Sequence, residues 1–205
     1  MDHIDIELKS GIPVQIINNL YNDEELRLIW EELEFLTYPH KLLGPNDTNS
    51  AIENGVVQKS NLGIFLDDIW QNRNLSNILM MNRKIFENNM EVLRRSSSWF
   101  FQNFTCNTDT TLLSYYENND YYKPHYDLAV VTVLTWFFRE PKCFDGGDLI
   151  LWDQDEKHVI EVMNNRTVVI PSFLIHEVTP ISMKEQYQGQ KLGRYCMTQF
   201  LGYKL

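Results

Sequence analysis

The sequence predicts an α+β fold that is mainly β: a double-stranded β-helix, or jelly-roll, core with N-terminal helices packed on one of its sheets. Three observations carry that expectation. From about residue 100 onward, short runs rich in β-branched and aromatic residues follow one another. Turn signals separate them, at Glu117-Asn118-Asn119-Asp120, Asp145-Gly146-Gly147 and Asn164-Asn165. Ahead of them, apolar residues recur at helical spacing instead. Strands preceded by helices, with tight turns throughout, suit two packed sheets covered on one side.

Taken in order, Pro13–Ile17 reads as a short strand. Asn22 followed three residues later by Glu25 is a capping signal, and Leu26, Ile29, Trp30, Leu33 and Leu36 give an amphipathic helix over about 23–37. Residues 38–63, with Pro39, Gly44, Pro45, Gly55 and Gly63 among polar residues, read as one long irregular connection. A second helix is expected over 74–94, closing on Arg94-Arg95, which suit a helix C-terminus. The eight β runs are Thr110–Tyr116, Tyr121–Asp127, Val130–Phe138, Asp148–Trp152, Val159–Met163, Arg166–Ile170, Phe173–His176 and Arg194–Leu201. Asn164-Asn165 suits a two-residue hairpin turn, because Asn tolerates positive φ. The whole reads as a single domain, residues 1–205: 1–104 supply a strand, helices and a loop flanking the core, and 105–205 form the core.

Composition narrows the function. The 205 residues are 43% hydrophobic and 22% charged, with a net charge of −10. Neither half is basic, so phosphate neutralisation has no evident surface and nucleic-acid binding is not expected. Three scattered cysteines, Cys106, Cys143 and Cys196, make neither a disulfide framework nor a CxxC zinc site, which fits a reducing compartment. The start lacks a secretory signal and no run is long enough to span a membrane. A cytoplasmic protein without a membrane partner is therefore expected.

The chemistry concentrates around His125-Tyr126-Asp127. On a strand, residues two apart share a face, so this imidazole and carboxylate converge. Pro124 biases Lys123 toward extended backbone and supports the strand. His176, at the end of a later run, is the candidate third ligand. Two His and one carboxylate occupy one face of an octahedral ion and leave three positions open, as in non-haem Fe(II) oxygenases. Arg194 opens the last run, on one face with Cys196, Thr198 and Phe200. If that face is buried, the guanidinium needs an anion: a structural carboxylate, or, beside a metal, one end of a dicarboxylic co-substrate with Thr198 as a hydroxyl donor next to it.

Together, Tyr115 ten residues before the HxD, Val131–Phe138, GGDLIL over 146–151, the His176 run and GRYCMTQF over 193–200 resemble the prolyl 4-hydroxylase-like Fe(II)/2-oxoglutarate dioxygenases. The resemblance covers about residues 105–203. It implies an oxidoreductase using Fe(II), 2-oxoglutarate and O2, with ascorbate as an accessory. It also implies His125, Asp127 and His176 as iron ligands, Arg194 and Thr198 at the distal carboxylate of 2-oxoglutarate, and the Tyr115 hydroxyl on the same co-substrate. Two departures stand out. Trp136 occupies a place where some prolyl hydroxylases have a second tyrosine, and the link from His176 to Arg194 carries a polar insert, Lys184–Lys191, read as a surface loop.

The substrate expected from this resemblance is a prolyl residue in a peptide or protein, with a free amino acid or small metabolite as the alternative. Tyr122 and Trp152 are the candidate substrate-groove residues. The 38–63 connection and the Glu117–Lys123 turn are the candidate closing segments. The rival from another class is a non-catalytic jelly-roll module whose metal is structural. A hydrolytic zinc enzyme is a weaker reading, for want of a general base beside the triad. His3, His40 and His158 lie outside the constellation and read as surface residues. Gly146 and Gly147 read as turn residues.

Overall fold

A computed structural model describes residues 1–38 and 41–204. His40 lies outside the described residues. In chain order the strands and helices are β1 (Asp2–Glu7), β2 (Pro13–Asn18), α1 (Asp23–Leu36), β3 (Ile52–Glu53), β4 (Val56–Val57), β5 (Lys59–Ser60), β6 (Leu62–Phe65), α2 (Leu66–Ile69), α3 (Asn77–Met81), α4 (Glu87–Arg94) and α5 (Trp99–Gln102). There follow β7 (Thr108–Tyr116), β8 (Tyr121–His125), β9 (Val131–Phe137), β10 (Phe144–Asp145), β11 (Leu149–Asp153), β12 (Glu156–Ile160), β13 (Arg166–Pro171), β14 (His176–Val178), β15 (Ser182–Met183) and β16 (Arg194–Gly202).

Two antiparallel sheets face each other. The larger has seven strands in the order β1-β2-β13-β9-β16-β7-β6, and the smaller five in the order β12-β11-β14-β8-β5. The central strands of the larger sheet are buried on both faces, because period-2 alternation sends their side chains into two separate cores. Leu113, Tyr115, Val131, Val133, Phe137, Val169, Tyr195 and Met197 pack against Ile29, Leu33, Leu36, Ile78, Leu79 and Leu93 of the helices. Leu134, Trp136, Val168, Ile170 and Cys196, one residue out of phase, pack between the sheets with Leu149, Leu151 and Val178. The jelly-roll architecture with helices on one sheet is thus the one the sequence predicts.

The N-terminal helix follows its signal closely. Asn22 and Glu25 form the reciprocal capping box, which satisfies two otherwise orphaned N–H groups. Other expectations need correction. The helix expected over 74–94 is broken into short pieces, with Asn88, Asn89 and Met90 all at positive φ. Asparagine tolerates that region better than other side chains, so two adjacent Asn end the helical pattern locally. The connection after α1 is not irregular throughout: it holds β3 to β5 and the first half of β6. Asn165 does adopt positive φ, but Asn164-Asn165 is a crossover between β12 and β13 in different sheets, not a hairpin turn. The Asn165 side chain is used elsewhere, accepting from the Tyr21 N–H and donating to the Tyr21 carbonyl. His3 and His158 are half-buried, not surface residues.

Two glycines set how β16 enters the larger sheet. Gly147, at φ +74°, sits against the Arg194 side chain, where an added Cβ would lie 3.1 Å from Arg194 Cδ. At Gly193 an added Cβ would fall 2.1 Å from the Tyr116 carbonyl oxygen, a backbone atom with no freedom to move aside. Gly193→Ala should therefore destabilise the fold by more than about 2 kcal/mol, the range of severe overpacking. A denaturant midpoint close to that of the unaltered protein would contradict this close packing.

Candidate active site

The smaller sheet builds the first half of the site. His176 opens β14 and pairs in register with His125, the last residue of β8. Their rings lie 4.3 Å apart between centroids. Asp127 lies two residues beyond the end of β8, so it is not itself a strand residue as the HxD reading supposed. Its backbone N–H is held by the Ser172 carbonyl at 2.9 Å, and this turns the carboxylate back toward the pair. Asp127 Oδ2 is 3.5 Å from His176 Nε2, and Oδ1 is 3.9 Å from His125 Nε2. One ligand atom from each of the three residues lies within 4.8 Å of the others.

Hydrogen bonds decide which nitrogens face inward. His125 Nδ1 lies 2.8 Å from the Lys123 carbonyl and His176 Nδ1 lies 2.9 Å from the Leu174 carbonyl. A carbonyl has no proton to give, so both Nδ1 atoms donate, and in the neutral imidazole it is then Nε2 that carries the free lone pair. Burial, and then the neighbouring His176, push His125 down to about 3, which keeps that lone pair unprotonated at neutral pH. Thr132 Oγ1 donates to Asp127 Oδ2 at 2.7 Å and also lies 2.8 Å from Ser172 Oγ. The triad could therefore hold a divalent cation, with its ligands oriented by hydrogen-bonded neighbours as metal sites generally require.

The larger sheet supplies the second half. Arg194, Cys196 and Thr198 line the same inner cavity as the triad, with Leu112, Leu134, Leu149 and Val178 as its apolar walls. Arg194 is only 1% exposed, and its Nε and both terminal nitrogens have no hydrogen-bond partner among the described residues. The guanidinium carbon lies 4.9 Å from the Tyr116 ring centre and 5.2 Å from that of Trp136. Aromatic faces ease a buried cation but cannot accept five N–H bonds. Among the described residues no acidic side chain pairs with it. Thr198 is buried near it, its hydroxyl 3.5 Å from Cys196 Sγ. Burial pushes the Cys196 thiol up, so it sits there as a neutral group.

Tyr122 lies at the triad, its ring stacked 3.5 Å from that of His125 and its hydroxyl accepting from the Ala51 N–H at 3.0 Å. Two other expectations fail on strand alternation. Tyr115 points to the helical side of β7, packs against Tyr195 and accepts the Gly193 N–H through its hydroxyl. The tyrosine on the cavity face is its neighbour Tyr116. Trp152 is on the outer side of β11, under the Lys157 ammonium at 4.0 Å, and lines neither cavity beside the triad. Sequence reasoning missed Tyr116, Thr132 and Ser172. It also missed Lys59, buried opposite Tyr122. Outside the triad, a depression of about 640 Å³ opens over His125, bordered by Ala51, Ile52, Gln58, Tyr126, Leu128 and Ile175.

Comparison with known proteins follows the same geometry. Residues 111–202 match the family described as the 2OG-Fe(II) oxygenase superfamily. The chain is 31% identical over 84 residues to the PKHD-type hydroxylase YbiX of Escherichia coli, an alignment of 36% of this chain and 37% of that protein. The chain thus spans little more than a third of that relative's length. In fold it resembles a prolyl hydroxylase from Trichoplax adhaerens, solved with a hypoxia-inducible-factor peptide fragment, at a TM-score of 0.66 and 17% identity over 92% of this chain and 83% of the other. It also resembles a Pseudomonas putida prolyl-4-hydroxylase at a TM-score of 0.60 and 14% identity, over 96% and 95% of the two chains. His125, Asp127, His176 and Arg194 all fall within the segment that is similar to the 2OG-Fe(II) oxygenase superfamily.

Proposed function

We propose that the protein is an Fe(II)- and 2-oxoglutarate-dependent dioxygenase that hydroxylates a C–H bond, most simply of a prolyl residue in a peptide or protein. One observation carries this reading: a buried guanidinium without a partner shares a cavity with three convergent metal-ligand atoms. An uncompensated guanidinium in an apolar site is costly, and a bound carboxylate offsets that cost through paired charge-assisted bonds. A structural metal site would need no such cation, which counts against a non-catalytic module.

In this reading His125, Asp127 and His176 hold the iron. Arg194, with Thr198 beside it, holds the distal carboxylate of 2-oxoglutarate. Iron and co-substrate, when bound, would supply oxidative decarboxylation by O2, with succinate, CO2 and an alcohol on the substrate as products. The chain's own residues orient and exclude. The Nδ1 donors fix both imidazoles, Thr132 fixes the carboxylate of Asp127, and Leu112, Leu134, Leu149 and Val178 keep water from the cavity. The open depression over His125, with Tyr126, Leu128 and Ile175 at its border, suits an extended peptide. The peptide-bound Trichoplax relative supports the same choice. Tyr122 is the proposed substrate contact. Ascorbate as an accessory reductant and a cytoplasmic location complete the proposal, the latter supported by three free thiols. Among the described residues no helix is long and apolar enough to cross a membrane.

The direct assay is succinate release in air from 2-oxoglutarate and Fe(II), screened over proline-containing peptides and free amino acids. Release with none of them would count against the hydroxylase reading. Removing a ligand and loosening one should differ. His176→Ala should abolish stoichiometric metal binding, whereas Thr132→Val should weaken metal affinity about 10- to 100-fold by freeing the Asp127 carboxylate. Equal affinities for the three proteins by metal titration would exclude the triad as the binding site. Arg194→Met should keep the metal and weaken the binding free energy of 2-oxoglutarate by about 1.5–3 kcal/mol, the worth of a charged hydrogen-bonded contact. An unchanged dissociation constant would assign Arg194 to structure alone.

A further inference from the structure

Arg194 and Lys59 are the only buried Arg or Lys side chains among the described residues, and Lys59 has no role in the reading above. It lies on β5, the edge strand of the smaller sheet, directly opposite Tyr122 in register. Its ammonium is 5.5 Å from the centre of the Tyr122 ring, the same ring that stacks on His125. The side chain is 5% exposed, and its one hydrogen bond is to the Thr48 carbonyl at 3.1 Å. Two of its three donors lack a partner among the described residues. Burial pushes Lys59 down to about 8, against the pull of Asp127. A glutamine would hold Thr48 without an ionic desolvation cost, so a loop-fastening role does not explain a charge here.

Charge counting shows what the ammonium is suited to. A divalent ion changes the triad from one net negative charge to one net positive. Arg194 and Lys59 raise the cluster to three positive charges, and 2-oxoglutarate cancels two. One cation remains in this cluster; the two charged residues that line the neighbouring depression, Glu53 and Lys123, offset each other, and Gln58, next to Lys59 in the chain, lies on its border. Its flexible four-carbon stem allows the ammonium to leave a neutral carbonyl for a charged acceptor.

We propose that Lys59 anchors a carboxylate of the primary substrate, so that the site selects a substrate bearing an acidic group near the carbon to be hydroxylated. Such a carboxylate belongs either to a free amino acid or to an acidic residue next to the target residue in a peptide. This rests on the dioxygenase reading above, and the test separates the two.

The test is calorimetric titration of the full chain loaded with Mn(II) and 2-oxoglutarate under anaerobic conditions. The probes are matched pairs: L-proline against L-prolinamide, and acetyl-Ala-Pro-Glu-Ala-amide against its Gln counterpart. We expect the carboxylate member of at least one pair to bind about 10- to 100-fold more tightly, and which pair does so identifies the source. Lys59→Met should erase that preference and Lys59→Arg should retain it, with uptake of 2-oxoglutarate by each variant confirming an intact site. Should Lys59→Met fail that check, the comparison of carboxylate and amide in the unaltered protein still decides. No preference in either pair, or one that survives in Lys59→Met, overturns the assignment of Lys59 alone. Failure of the unaltered protein to take up 2-oxoglutarate overturns both readings.

Discussion

The cost of burying a charge orders this molecule. A guanidinium at 1% exposure whose nitrogens all lack a partner among the described residues would be a severe liability in a protein that used it only for packing. Tyr116 and Trp136 flank it and Gly147 makes room for its stem, so the surroundings hold it in place without neutralising it. The guanidinium lies in the same cavity as the triad, and in the proposed reading it receives one anion there. The two halves come from different sheets, which is why the packing of one sheet on the other has to be tight and specific.

The sheet architecture supplies that precision. The larger sheet is a partition with an apolar layer on each side, and its strand alternation assigns every second residue to the helices or to the site. The helices cover the face turned away from the triad. The smaller sheet carries both histidines on paired strands, and backbone carbonyls at Lys123 and Leu174 set their tautomers. Asp127 comes from just beyond a strand end, positioned by the backbone bond to Ser172 and by the Thr132 hydroxyl. These hydrogen bonds orient all three candidate ligands toward one point.

Much of this was legible in the sequence, and the failures have physical causes. The HxD pair, His176 and Arg194 stood out because their chemistry is scarce and their order distinctive. Tyr115 was mistaken for Tyr116 because Leu112-Leu113-Ser114-Tyr115-Tyr116 is buried on both faces, so the run shows no alternation to fix its phase. Trp152 failed for a related reason: an aromatic on the outer face of β11 looks, in sequence, like one on the inner face. The region after α1 hid Lys59 because strands of two residues carry no periodicity, and their pairing with β8 is a tertiary fact. The broken helix over 74–94 shows apolar spacing overruled by local backbone preference at Asn88 and Asn89.

The central claim is that the triad and Arg194 form one site for a metal-bound diacid. The measurement closest to it is anaerobic titration of the full chain with Fe(II) and then 2-oxoglutarate, following the weak visible charge-transfer absorption of a chelated 2-oxo acid. The account predicts a band that saturates at one iron and one 2-oxoglutarate per chain. Absence of the band while Fe(II) binds stoichiometrically would contradict it, leaving a metal site with no co-substrate and a guanidinium whose partner must be sought elsewhere.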